Sequence, residues 1–95
     1  MNDVVTKDGL AKYFSITGEA LEKCKNALDK DRLKDAKDFF DMANRYYNDA
    51  KYFEKNGNYV LAFAALNYAH GWLDAGARIR LFKVNDSRLF TVDEL

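Results

Sequence analysis

The sequence predicts an all-α fold, an up-and-down three-helix bundle with a short C-terminal tail. Three observations carry that reading. The 95-residue chain contains no proline, so long helices run unobstructed and strands bounded by proline turns are not signalled. Apolar residues recur at helical spacing over three successive stretches. The stretch from Tyr46 to Ile79 then organises the rest. It holds the only Trp, the only His and five of the six Tyr, and it reads as the end of one helix, a glycine turn and a whole second helix.

Taken in order, residues 1–6 are expected to fray. The first helix is predicted from about Lys7 to about Lys30, with Thr6 or Asp8 as N-cap. Leu10, Phe14, Thr17, Leu21, Cys24 and Leu28 alternate in spacings of four and three, which makes a packing seam. Gly18 interrupts that seam and marks a close helix contact or a bend. Asp29 or Asp31 can cap a second helix, placed at about 32–56. Its apolar side carries Ala36, Phe39, Phe40, Ala43, Tyr46, Tyr47, Ala50 and Phe53. Asn56-Gly57 supplies a left-handed stop, and Asn58 can cap the third helix, predicted at about 59–82. The remainder, 83–95, forms the tail, partly flexible. All 95 residues make a single domain.

The third helix is apolar over most of its circumference. One stripe runs Tyr59, Ala62 or Phe63, Leu66, Ala69 or His70, Leu73 and Ala77. A second runs Leu61, Ala65, Tyr68, Trp72, Ala75 and Ile79 on nearly the opposite face. Two neighbouring helices can cover one stripe and its flanks, so something else must cover the other. A symmetric homodimer or a partner helix is the favoured cover, and a fold-back of Leu89, Phe90 and Val92 is the alternative. Gly71 and Ala75, with Ala64 and Ala65 before them, add a small-residue flank that permits close approach within the bundle or at a dimer face.

Composition limits function. Fifteen Lys and Arg balance fifteen Asp and Glu, so no global field gathers nucleic acid or anionic lipid. A lone Cys24 suits a reducing cytoplasm, and it sits on the buried seam, where a nucleophile is not expected. No signal peptide or membrane span is visible. His70 has no second His or Cys at ligand spacing, so it reads first as a structural histidine. The carboxylates of the second helix spread over its wet face and lack the inward Glu-x-x-His pairs of a di-metal bundle. No metal, no cofactor and no enzyme activity are therefore expected. The tyrosines and phenylalanines lie at core spacing rather than as a stacking platform for RNA. One polar grouping is left open, formed by Asp49, His70, Asp74 and Arg78.

At Tyr47–Arg78 the chain resembles the archaeal domain of unknown function 357 family, a likeness that covers about the C-terminal two-thirds strongly and the first helix loosely. The residues concerned are Ala43, Tyr47, Asp49-Ala50, Phe53, Gly57, Tyr59, Ala62 and the run Tyr68-Ala69-His70-Gly71-Trp72-Leu73-Asp74-Ala75-Gly76. The resemblance implies a small three-helix bundle in an archaeal cytoplasm and implies no activity. A fainter likeness is to helical domains paired with nucleotidyltransferases, whose ribonuclease versions place an Arg a few residues before a His. No Arg precedes His70 at that spacing. Two functions follow as expectations. One is a non-enzymatic interaction or assembly module built on the second stripe. The other is a nucleic-acid- or nucleotide-associated accessory domain with a polar site around His70 and Asp74.

Overall fold

The first helix starts where the Thr6 side chain accepts a hydrogen bond from the Gly9 amide, 3.0 Å away. In the computed structural model, which describes residues 5–91, this helix, α1, spans Lys7–Lys25. A 3-10 turn follows at Lys30–Arg32, then α2 at Leu33–Lys55 and α3 at Tyr59–Arg78. The three helices form the expected bundle, and no strand occurs among the described residues.

Two helix ends fall earlier than periodicity suggests. α1 ends at Lys25 because Asn26 caps it, its side chain donating to the Glu22 carbonyl. The chain then runs extended. Leu28 bridges antiparallel to Phe82, with the Asp29 amide donating to Leu81 and the Lys83 amide to Ala27, each at 2.8 Å. α3 ends at Arg78 in a Schellman turn: the Leu81 amide reaches the Gly76 carbonyl and the Arg80 amide reaches Ala77. Arg80 occupies the left-handed position at φ 64°, where Gly57 sits in the matching turn after α2 at φ 76°. A non-glycine residue there costs about 1 kcal/mol. Packing of the Phe82 ring onto Gly76 offsets that cost, because a Cβ at Gly76 would collide with the ring.

The core has two centres. One, toward the Gly57 turn, is Leu10, Ala50, Ala62, Ala65 and Leu66. The other gathers Ala20, Cys24, Ala43, Leu73 and Ala77 with Phe82, Leu89 and Phe90 of the tail. Leu81, Phe82, Leu89 and Phe90 are all buried, and each contributes about 1.5–3 kcal/mol on burial. The tail is thus a fourth packing element. Val92, the remaining apolar residue expected to fold back, lies outside the described residues. Ion pairs clasp the tail to α1: Lys23 to Asp86 at 2.8 Å, and Arg88 to Glu19.

Gly18 is where α1 approaches α2. A Cβ there would lie 2.8 Å from the Tyr47 hydroxyl, which in turn donates to the Phe14 carbonyl. At the opposite end Asp29 ties three segments together. Its carboxylate accepts from the Asp31 amide and Arg32 Nε, with Lys83 3.9 Å away, while the Arg32 guanidinium also donates to the Ile79 carbonyl. The Asp31 amide and Arg32 hold the Asp29 carboxyl below its ordinary value.

Candidate functional site

α3 turns a different face to each neighbour. Ala62, Leu66, Ala69, Leu73 and Ala77 are buried, as the first stripe requires. The α2 side of the helix is aromatic: Tyr46 stacks on Tyr68 at 5.2 Å, and Phe39 meets Trp72 edge-on at 5.0 Å. The α1 side is polar. There Tyr13 packs on Phe63 and His70 and donates its hydroxyl proton to Asn67 Oδ1, 2.8 Å away. Burial, reinforced by the charge of Asp74, raises the Tyr13 pKa.

His70 occupies a fully partnered position. Its Nε2 lies 2.6 Å from the Leu89 carbonyl oxygen and its Nδ1 3.1 Å from Thr17 Oγ1. A carbonyl only accepts, so Nε2 carries the proton, and in the neutral ring Nδ1 accepts from the Thr17 hydroxyl. One turn on, Asp74 Oδ1 accepts from the Thr91 amide at 2.9 Å. The two side chains together seat the tail. Asp49 stands exposed on α2, and none of the described hydrogen bonds or ion pairs joins it to His70 or Asp74. Arg78 is exposed at the end of α3. The structure brings His70 and Asp74 together on the tail and sets Asp49 on the neighbouring helix. Sequence reasoning also missed the partners His70 does have. Thr17 lies on the α1 seam, where its polar atom was a signal; the Leu89 carbonyl left none.

No group of three or more His, Cys, Asp or Glu side chains able to hold a metal occurs among the described residues. Cys24 is buried, and burial followed by the Asp74 charge pushes its thiol up to about 12, far from thiolate at neutral pH.

The second stripe is divided. Ala65 is buried in the core and Trp72 half-buried against Phe39, so Ala65 leaves the surface stripe. The rest stays in water with the tail already in place: Leu61 is 45% exposed, Tyr68 63% and Ile79 49%, and Ala75 is exposed too. The tail and the uncovered stripe were expected as alternatives, but the tail docks on the α1 side beside His70 and leaves this face open. Along it runs a groove of about 480 Å³ lined by Phe39, Asn67, Tyr68, Gly71, Trp72 and Ala75.

A family model described as protein of unknown function (DUF357) matches residues 12–82. The chain belongs to the DUF357 family. The matched span takes in nearly all of the bundle and ends at Phe82, so the Lys83–Thr91 segment of this DUF357 protein lies outside it. No curated protein and no solved structure matches the chain. Among the described residues, no helix of the DUF357 chain is long and apolar enough to cross a membrane.

Proposed function

We propose that this DUF357 protein is a non-enzymatic interaction module whose α3 outer face binds a second copy of the chain. The observation that carries the reading is the exposure of Leu61, Tyr68 and Ile79 along one line of α3 after the tail has taken its place in the core. A contiguous apolar face of this kind is unusual on a protein that works alone. The alternative, a nucleic-acid- or nucleotide-associated domain with a polar site at His70 and Asp74, has less support. Both side chains are engaged in holding the tail. Cytoplasmic residence belongs to the same proposal and rests on the single reduced thiol at Cys24.

Sedimentation equilibrium across protein concentrations tests the reading. Wild type is expected to dimerise, and Leu61→Glu or Tyr68→Glu to abolish dimerisation with helix content retained. A wild type that stays monomeric at every concentration, or a dimer indifferent to both substitutions, overturns it.

A further inference from the structure

Gly71 has no reason to be glycine within its own chain. Glycine in a helix interior costs about 1 kcal/mol relative to alanine, and elsewhere this chain has a local reason for it. Gly18 admits Tyr47, Gly76 admits Phe82, Gly9 admits the Thr6 cap and Gly57 takes a positive φ. A Cβ at Gly71 would meet nothing within 4 Å. The missing side chain leaves a bare patch of helix backbone in the groove, next to the exposed ring of Tyr68.

Resting on the interaction reading above, we infer that two copies pair through antiparallel α3 helices, with Tyr68 of each copy seated on Gly71 of the other. The register follows from the spacing. When Tyr68 opposes Gly71, Ala64 opposes Ala75, Val60 opposes Ile79 and Leu61 opposes the aliphatic stem of Arg78. Small residues meet small ones, large apolar residues meet each other, and each ring enters a gap. The contact is the same from both sides, so it closes at two copies.

Length and charge select a second copy over other occupants. The apolar line from Leu61 to Ile79 runs about 27 Å at 1.5 Å per residue, longer than a small molecule spans and matched by another α3. The residues lining the groove carry no charge, and the chain has no net charge to repel its like. The flanks complement each other. α2 runs antiparallel to α3, as the Phe39–Trp72 and Tyr46–Tyr68 contacts require. Exposed Asp49, one turn beyond Tyr46, therefore stands beside the Leu61 end of the line, and exposed Arg78 stands at the other end. The two-fold brings Arg78 of each copy toward Asp49 of the other.

The full-length protein is the test object, with sedimentation equilibrium for association and far-UV circular dichroism for helix content. Gly71→Leu is expected to raise the dimer dissociation constant by about tenfold or more while helix content stays unchanged, since the added Cβ meets no heavy atom within 4 Å. Arg78→Glu and Asp49→Arg are each expected to weaken the dimer, and the double variant to recover affinity toward wild type. A dimer unaffected by Gly71→Leu, or a double variant no better than its parents, overturns this register and leaves the α3 interaction reading standing. A wild type that never dimerises overturns both.

Discussion

Two glycines five residues apart on α3 separate what a residue does for its own chain from what it leaves open. Gly76 lies under the Phe82 ring and Gly71 under nothing. Gly76→Ala is expected to destabilise the fold by about 1–3 kcal/mol through overpacking. Gly71→Ala is expected to stabilise the isolated chain by up to about 1 kcal/mol through helix propensity. Urea titrations at concentrations below self-association distinguish the two signs. The sequence alone could not separate them, because both read as a glycine on a helix; the distinction depends on the Phe82 ring, which folds back from the turn just beyond α3. His70 shows the same limit. Its position on a core flank was legible, but its tautomer depends on the Leu89 carbonyl, 19 residues away. A long-range nitrogen–proton spectrum is expected to show the Nε2–H form. Thr17→Val, which leaves Nδ1 without its donor, is expected to cost about 1–3 kcal/mol.

Among the elements, the helices were legible, and of the tail only the fold-back of Leu89 and Phe90, held as the alternative cover, was. Helical periodicity and the Asn56-Gly57 stop located α2 almost to the residue. α1 and α3 carry their apolar spacing past their true ends, because Leu28 and Phe82 continue the pattern while pairing as extended chain. The tail packs by two short apolar pairs and by charges matched to α1, signals too sparse for any periodicity to reveal. Its clasp responds to acid. Arg88 lowers the Glu19 pKa from its ordinary 4.5, and Lys23 lowers that of Asp86 from its ordinary 3.8. A depressed carboxylate stabilises fully above its ordinary value, and that contribution is lost as pH falls through the lowered one. The tail is therefore expected to loosen below about pH 4, seen as a lower thermal midpoint on acidification. Added salt is expected to weaken the same exposed pairs.

For the whole molecule, the tail decides which faces are core and which are free. Truncation after Lys83 removes Leu89 and Phe90 from the cluster that covers Cys24. The truncated chain is expected to show faster thiol labelling at Cys24 and a lower unfolding midpoint, with the α2–α3 pair still helical. Asp74 also reaches the tail, through the amide of Thr91. Chain ends ordinarily exchange their amide hydrogens at open-chain rates. This amide is held by a side chain from the middle of the molecule. Its exchange with deuterium therefore becomes a local clock for undocking, slowed while the strap is closed and set free each time it lifts, with the helices still intact.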